Sequence, residues 1–346
     1  MEKIAVLGAG AMGTAVAFHL SRIGHEVDLW GTDLDEEVVR TRRQVKLGVK
    51  IPERIRLLSF DQIEETLKGK KVVIFCISSQ GIGRVAEYVA GYLNPGMVIV
   101  NIGKGIPEPP CFTLCQLIES KISCPEVQVV AMGGPARAIE IIRGVITQVI
   151  FAFPNPEVSR LCCKIFEGPT FKTSFTLDRV GVELCAATKN AYAIAIGIVD
   201  ELRREDNNFK AALMSSAIEE MAEFVSGKGG KIETVLGPAG VGDLYVTCQA
   251  GRNKSFAQLL ARGLSPQEAL ARLKGETIEG YWVIKGMWRI AKELEREKKI
   301  SSIRDELPLF YLLYQILYQK KPADWIFTRY KKPEKVQYES SKILQQ

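Results

Sequence analysis

The chain of 346 residues contains only two histidines, His19 and His25, and both lie in or just after the first predicted helix. This scarcity excludes acid/base chemistry that depends on a histidine elsewhere in the chain. The eight cysteines match no zinc-ligand spacing, and the two histidines do not complete one. We therefore expect no metal site and expect most cysteines to be buried, reduced thiols.

Long apolar runs and strong charge of one sign are also lacking. No run approaches the roughly 20 apolar residues that a membrane helix needs, and the basic residues are scattered without a stripe. The net charge of +6 mildly favours anionic ligands. The first ten residues, MEKIAVLGAG, enter a predicted strand directly. We therefore expect a cytoplasmic protein with no membrane span and no nucleic-acid partner.

The N-terminus carries a glycine pattern between a strand and a helix. Residues 4–7 read as a buried strand, Gly8-x-Gly10-x-x-Gly13 follows, and a helix is predicted over about 12–23. In a dinucleotide-binding unit the first glycine permits the tight turn, the second lets the backbone approach a pyrophosphate, and the third allows close helix–strand packing. Free N–H groups at the helix start then bind the phosphate. The pattern predicts a Rossmann-type domain for a nicotinamide cofactor.

The second strand ends at LWGTD, and this end leaves the choice between NAD and NADP open. Asp33 would hold the two hydroxyls of an unphosphorylated ribose. Thr32 would instead bind a 2′-phosphate through a hydrogen bond from its hydroxyl, with Arg40, Arg42 or Arg43 within reach. Both cofactors remain possible at this point.

The rest of the chain divides into a strand-rich and a helical part. Further strand-like segments cover 71–78, 96–105, 127–135 and 144–153, and the pattern is helical from about 178 onward. We predict an α/β fold with a Rossmann dinucleotide-binding domain at 1–178, a helical substrate and catalytic domain at 179–335, and a charged tail at 336–346. The glycine-rich segment 237–253 is predicted to be a loop.

A lysine heads an unusually apolar helix in the stretch AATKNAYAIAIGIV, residues 186–199. Eight of the nine residues at 191–199 are hydrophobic, and the ninth is Gly197. A helix this apolar is buried, and a buried cation must be paired or neutralised. Asp243 is a natural partner for Lys189. Either the two residues form an ordinary buried ion pair, or Lys189 lies beside a nicotinamide and acts as the acid/base at a carbinol oxygen.

Two further loops carry groups that suit an anionic substrate. Lys104 lies between two glycines at the carboxyl end of a predicted strand, where ligands collect in open α/β sheets; alone, it also fits a surface loop. Arg252 and Asn253 combine a guanidinium fork with an amide donor and suit a phosphate.

Several motifs occur in one order and at characteristic spacing: GAGAMGTA, GKG, GPARAIE, ELCAATKNAYAIAIGIVDE, EDNNFKAALMSSAIEEM, GPAGVGDLYVTC, GRN and IEGY. Together they resemble the NAD(P)-dependent glycerol-3-phosphate dehydrogenases over nearly the whole chain. The resemblance implies NADH- or NADPH-dependent reduction of dihydroxyacetone phosphate to sn-glycerol 3-phosphate, for glycerophospholipid synthesis, by a homodimer.

The resemblance also implies residue roles. Lys189 is the catalytic acid/base at the C2 oxygen of the substrate, with Lys104 and Asp243 as catalytic neighbours. The implied substrate-binding residues are Lys104, Gly134, Ala136, Lys189, Asn190, Asp243, Thr247, Gly251, Arg252 and Asn253. The implied cofactor-binding residues are Gly8, Gly10, Ala11, Met12, Gly13, Thr32, Lys104, Ala138, Arg252, Thr277 and Glu279.

Some positions depart from the family pattern. Ala136 replaces a Ser or Thr, Arg137 replaces an aromatic residue, Ser215-Ser216 replace a Thr-Arg pair, and Thr32 stands where bacterial members often carry Arg or His. These changes leave the hydride chemistry intact and bear on substrate identity and cofactor preference. Two alternatives remain beside the family's own reaction: a related dehydrogenase acting on another hydroxy acid or phosphorylated ketone, and a cofactor-binding regulator without turnover.

Overall fold

The computed structural model describes residues 1–331, and the predicted tail at 336–346 lies outside them. The strands are β1 (Lys3–Leu7), β2 (Glu26–Trp30), β3 (Arg43–Gln44), β4 (Val49–Lys50), β5 (Ile55–Leu58), β6 (Val72–Phe75), β7 (Val98–Asn101), β8 (Gln128–Gly133), β9 (Thr147–Ala152) and β10 (Phe171–Thr176).

The helices alternate with the strands up to β10 and then follow one another. They are α1 (Ala11–Arg22), α2 (Glu36–Thr41), α3 (Ile63–Leu67), α4 (Ile82–Val89), α5 (Leu114–Lys121), α6 (Ala138–Arg143), α7 (Pro156–Phe166), α8 (Arg179–Leu202), α9 (Asn207–Gly227), α10 (Ile232–Leu236), α11 (Asp243–Gln249), α12 (Arg252–Ala261), α13 (Pro266–Arg272), α14 (Glu279–Arg296), α15 (Ile303–Glu306), α16 (Pro308–Tyr318) and α17 (Trp325–Thr328).

Eight strands form one sheet in the order β10-β9-β8-β7-β6-β1-β2-β5. Six neighbouring strands of this sheet, in the order β8-β7-β6-β1-β2-β5, are parallel. Their order is that of a doubly wound dinucleotide-binding sheet. β9 runs antiparallel to β8, and β10 extends it in parallel. The inner strands β1, β6 and β7 are short, mostly apolar runs that are buried except at Lys3, because helices cover both faces. The predicted α/β fold is confirmed.

α8 is the central helix of the second half. It is continuous, and every residue from 181 to 199 is buried. Asp178 caps its first turn by accepting a hydrogen bond from the Gly181 N–H at 2.8 Å. Within residues 1–331 this helix alone has the length and apolar composition of a membrane span, and its apolar window is wholly buried inside the protein. α8 is therefore the core around which the other helices pack.

The glycine-rich segment 237–253 is largely helical, so the predicted loop is wrong. Pro238–Gly242 forms a π-helical turn, and α11 and α12 follow with only a short break. Glycines lower helix propensity, but a Cβ on Gly240 would lie 1.9 Å from the Val235 carbonyl oxygen. Glycine is thus required there because the turn packs directly against α10. As a result Asp243 is the first residue of α11.

The two histidines contact backbone carbonyl groups, and the cysteines are free thiols within the fold. His19 Nε2 lies 2.7 Å from the Phe166 carbonyl oxygen, and His25 Nε2 lies 3.0 Å from that of Ile165. All eight cysteines are free, and each is buried or half-buried. Burial raises the pKa of the Cys162 thiol to about 12. Among residues 1–331, no group of three or more His, Cys, Asp or Glu side chains is arranged to hold a metal ion.

Candidate active site

A cavity of about 840 Å³ lies at the carboxyl ends of the parallel strands, between the sheet and the helical half. This edge of a doubly wound sheet is where ligands bind. The predicted site residues on its wall are Gly10, Ala11, Met12, Lys104, Ala136, Ala138, Lys189, Asn190, Asp243, Thr247, Gly251, Arg252, Asn253 and Glu279.

The three glycines of the first turn have different surroundings. A Cβ on Gly8, at φ 101°, would lie 2.7 Å from the Cys76 carbonyl oxygen, and one on Gly13 would lie 1.8 Å from that of Gly8. A Cβ on Gly10 would meet no protein atom within 4 Å, and Gly10 lines the cavity. Gly10 is also the N-cap of α1, and no side chain caps that end. The loop therefore fits a dinucleotide pyrophosphate, which would occupy this open space.

This difference predicts that Gly10→Ala and Gly13→Ala separate binding from folding. Gly13→Ala is expected to lower the free energy of unfolding by about 1–3 kcal/mol or more, because the new methyl group overlaps the Gly8 backbone. Gly10→Ala is expected to preserve stability, since φ −65° suits alanine, and to weaken NADH binding. Thermal unfolding without cofactor and fluorescence titration with NADH measure the two effects. Equal loss of stability in both variants would contradict this assignment.

Two lysines and one aspartate form the charged centre of the cavity. Lys189 Nζ donates to Asp243 Oδ1 at 2.9 Å and to Thr247 Oγ1 at 2.5 Å. Lys104 Nζ donates to Asp243 Oδ2 at 2.5 Å and to the Gly134 carbonyl oxygen at 3.2 Å. The Lys189, Asp243 and Lys104 side chains are 5%, 3% and 17% exposed. The predicted Lys189–Asp243 contact is present, and each carboxylate oxygen accepts from one lysine.

The surroundings of this centre shift the pKa of both Lys189 and Asp243. Burial lowers the pKa of Lys189 to about 8, against the attraction of Asp243 and with the help of the Lys104 charge. Burial alone would raise the pKa of Asp243, but the two lysine charges outweigh it and hold that pKa below its usual value. A group whose pKa is near the working pH exchanges its proton most effectively.

Two asparagines hold the helices around this centre. Asn253 Nδ2 donates to Asn190 Oδ1 at 2.9 Å, and Asn253 Oδ1 accepts from the Gly280 N–H at 3.0 Å. A Cβ on Gly280 would lie 2.3 Å from the Asn190 carbonyl oxygen, so α14 begins directly against α8. The sequence predicted a phosphate contact for the Asn253 amide. Asn253 lines the cavity, and its hydrogen bonds within the chain join α8, α12 and α14, so the phosphate contact stays a prediction.

Arg252 lies at the rim, in the first turn of α12, and is exposed. Within the described chain it forms no ion pair or hydrogen bond through its guanidinium. Glu279 also lines the cavity and accepts hydrogen bonds from Ser79, with Oγ–Oε2 at 2.5 Å. Burial raises the pKa of Glu279 against these hydrogen bonds and the Arg252 charge. The rim therefore has one unpaired cation.

Five predicted site residues are absent from the cavity wall: Gly8, Gly13, Thr32, Gly134 and Thr277. Gly8 and Gly13 shape the turn behind the wall, and Gly134 acts through its carbonyl oxygen on Lys104. Thr32 Oγ1 donates to Asp35 Oδ2 at 2.8 Å instead of facing the cavity.

The cavity also includes residues that the sequence did not single out. Asp35, Gln44, Lys46 and Glu276 line its far end. Lys46 Nζ pairs with Glu276 Oε1 at 2.7 Å, although 230 positions separate them. Asp35 was detectable as a second acid near the end of β2, but no local pattern indicates the Lys46–Glu276 pair.

Comparisons with known proteins agree over most of the chain. A family model for the N-terminus of NAD-dependent glycerol-3-phosphate dehydrogenase matches residues 3–159, and one for its C-terminus matches 178–328. The chain is 33% identical over 341 residues to glycerol-3-phosphate dehydrogenase [NAD(P)+] of Thermoanaerobacter sp. (strain X514), covering 96% of this chain and 98% of that one. It is 31% identical over 337 residues to the NADP(+)-dependent glycerol-3-phosphate dehydrogenase of Archaeoglobus fulgidus, covering 91% and 95%.

Solved structures agree with these relatives. The glycerol-3-phosphate dehydrogenase of Coxiella burnetii has a TM-score of 0.84 at 28% identity, covering 95% of this chain and 98% of that one. A PanE/ApbA family ketopantoate reductase from Ralstonia eutropha, at 15% identity and a TM-score of 0.58 with 94% and 99% covered, shares the fold alone. The predicted family is confirmed. This chain belongs to the NAD(P)-dependent glycerol-3-phosphate dehydrogenase family of oxidoreductases.

Proposed function

We propose that this chain interconverts dihydroxyacetone phosphate and sn-glycerol 3-phosphate, with Lys189 moving the proton at the C2 oxygen. The observation that carries the proposal is the Lys104–Asp243–Lys189 centre, which shares one cavity with the Gly10 turn and the unpaired Arg252. A dinucleotide, a proton donor and a phosphate-binding cation are the parts that this reaction needs.

The bound dinucleotide supplies or accepts the hydride. In ketone reduction the Lys189 ammonium donates its proton to the C2 oxygen as negative charge develops there. Lys104 adds a second positive charge beside that oxygen and stabilises the developing alkoxide. Asp243 keeps both ammonium groups in place, and the Thr247 hydroxyl fixes the direction of Lys189. In the reverse direction neutral Lys189 accepts the hydroxyl proton.

The phosphate end of the substrate suits the start of α12. Arg252 presents a free guanidinium fork there, and Gly251, the N-cap at φ 114°, offers no side chain to cap the helix. The N–H groups of the first turn and the guanidinium together favour a phosphate.

Arg252→Met tests this end of the site. We expect the KM for dihydroxyacetone phosphate to rise by about 10- to 100-fold, because a charge-assisted hydrogen bond contributes about 1.5–3 kcal/mol. Activity with unphosphorylated dihydroxyacetone should change little. Arg262→Met is the matched control, because Arg262 lies just after the same helix, is paired with Glu201 and is outside the cavity. Equal KM changes in the two variants would argue against a phosphate at Arg252.

The activity itself is tested by the absorbance of reduced nicotinamide, with dihydroxyacetone phosphate and either NADH or NADPH. Rapid oxidation of one cofactor supports the proposal. Cofactor binding without turnover would overturn it and favour a related dehydrogenase with another hydroxy acid or phosphorylated ketone. Ala136 and Arg137 favour that second candidate, because they replace a hydroxyl-bearing residue and an aromatic residue of the family pattern. Both line the cavity, and Arg137 pairs with Glu140 at 2.5 Å.

We also propose a division into domains at residues 178 and 179, supported by the end of β10 at Thr176 and the start of α8. A homodimer and a place in glycerophospholipid synthesis are further proposals, and light scattering of the purified chain tests the first.

A further inference from the structure

The far end of the cavity, beyond the glycine turn, contains the Asp35 carboxylate, which hydrogen bonds hold in place. Asp35 Oδ2 accepts three hydrogen bonds, from the Ala9 N–H at 3.1 Å, the Thr32 N–H at 3.0 Å and Thr32 Oγ1 at 2.8 Å. Asp35 is the N-cap residue of α2, yet its side chain does not cap that helix. Its carboxylate is held against the glycine turn instead, and it lines the cavity.

This position corresponds to the adenosine ribose of a dinucleotide. A pyrophosphate on the Gly10 turn places the adjoining ribose beside the end of β2, which is the strand that Asp35 follows. Oδ1 of Asp35 has no hydrogen bond within the described chain, so this oxygen remains available to accept from a ribose hydroxyl. Asp33 does not share this position, because it pairs with Arg84 and lies outside the cavity wall.

The cations that would bind a 2′-phosphate are engaged or absent from this end. The Arg42 guanidinium donates to the carbonyl oxygens of Ile51, Pro52 and Ile55. Neither Arg40 nor Arg43 lines the cavity.

Lys46 does line the far end, but its charge is compensated. Its Nζ pairs with Glu276 at 2.7 Å, and Asp35 lies on the same part of the wall. This end of the cavity therefore holds two carboxylates and one lysine, which is a poor environment for a dianionic phosphate.

We propose that Asp35 recognises the unphosphorylated ribose of the cofactor by accepting its hydroxyl hydrogen bonds, and that this chain therefore prefers NADH over NADPH. The inference rests on the proposed function only in that the cavity takes a nicotinamide dinucleotide. The carboxylate accepts from the ribose hydroxyls of NADH, whereas the 2′-phosphate of NADPH meets a fixed like charge, and no unpaired cation lines this end of the cavity. We expect NADH to bind at least about tenfold more tightly than NADPH, since like charges in contact cost several kcal/mol.

Fluorescence titration with NADH and with NADPH, without substrate, measures this preference. Asp35→Asn keeps an oxygen acceptor for Ala9 and Thr32 and removes the charge, so the ratio of the two dissociation constants should fall by about tenfold or more. Glu36→Gln is the matched control, since Glu36 is the next residue, is exposed and lies outside the cavity wall, and it should leave the ratio unchanged. Wild-type protein that binds NADPH as tightly as NADH would overturn the proposal whether or not the variants fold.

The double variant Lys46→Met/Glu276→Gln tests the competing hypothesis that Lys46 binds a 2′-phosphate, because it removes both charges of the Lys46–Glu276 pair and leaves the net charge of this end unchanged. If Lys46 released Glu276 to bind a 2′-phosphate, the double variant would lose NADPH affinity selectively, and the proposal would fail. We expect the double variant to change the NADH-to-NADPH ratio by less than about twofold, because the proposal gives Lys46 no 2′-phosphate to bind.

The binding titrations separate this inference from the proposed function. A strong NADH preference without turnover of dihydroxyacetone phosphate overturns the function alone. Turnover without a preference that depends on Asp35 overturns the inference alone.

Discussion

Replacing Lys189 by methionine is expected to lower kcat for dihydroxyacetone phosphate reduction by about 10²- to 10⁴-fold, the usual effect of removing a positioned acid/base. Methionine fills the same buried volume without the ammonium group. NADH binding, measured by titration, should change little, because the Gly10 turn and Asp35 lie elsewhere on the wall.

Lys70→Met is the matched control for this experiment. Lys70 is also buried and pairs with an aspartate, Asp28, at 2.7 Å, but it lies outside the cavity. Both variants lose a buried Lys–Asp pair and should lose stability. Only Lys189→Met should lose turnover, and comparable activity in the two variants would reduce the Lys189–Asp243 contact to an ordinary ion pair.

The pH dependence gives a second readout of Lys189. Reduction needs the protonated amine and oxidation needs the neutral one, and burial places the pKa of Lys189 at about 8. The rate of ketone reduction should therefore fall as the pH rises through about 8, and the rate of alcohol oxidation should rise over the same range. Residual activity in Lys189→Met should lack this transition.

Local patterns were sufficient where one stretch of chain determines the structure. The glycine turn, α1 and the buried helix around Lys189 were all predicted, since glycine spacing and an apolar run act over a few residues. The glycine-rich segment 237–253 was predicted as a loop, because its glycines weaken a helix in isolation. Packing of Gly240 against Val235 makes it helical, and a contact of this kind is not visible in a local pattern.

Contacts between distant residues were predicted only where the charges demanded them. The Lys189–Asp243 pair was predicted because a buried cation needs an anion. The Asn253–Asn190 bond joins neutral groups 63 positions apart, and nothing in either segment calls for it. The choice of Asp35 over Asp33 depends on the turn after β2, where the Asp35 N–H donates to the Thr32 carbonyl oxygen at 2.9 Å. That turn directs one acid towards the glycine loop and leaves the other at Arg84.

Asp243→Asn should combine a large loss of stability with a shifted pH profile. The substitution leaves the Lys104 and Lys189 charges near each other without their shared anion. Breaking a buried ion pair from one side costs about 3–5 kcal/mol, so the free energy of unfolding at pH 7 should fall by that amount. Because the Asp243 charge raises the pKa of Lys189, its removal should lower that pKa below about 8. A larger fraction of Lys189 would then be neutral near pH 7, and ketone reduction should slow.

Urea unfolding and the pH dependence of kcat measure the two effects separately. Asp28→Asn is the matched control, because Asp28 is also a buried aspartate between two cations, Lys70 and Arg56, but lies outside the cavity. It should lose stability and keep the transition in ketone reduction near pH 8. In Asp243→Asn the transition should move to lower pH, so that the variant recovers part of its reductase activity as the solution is acidified. An unchanged transition in Asp243→Asn would mean that Asp243 holds the fold together without tuning Lys189, and that burial and Lys104 alone determine its pKa.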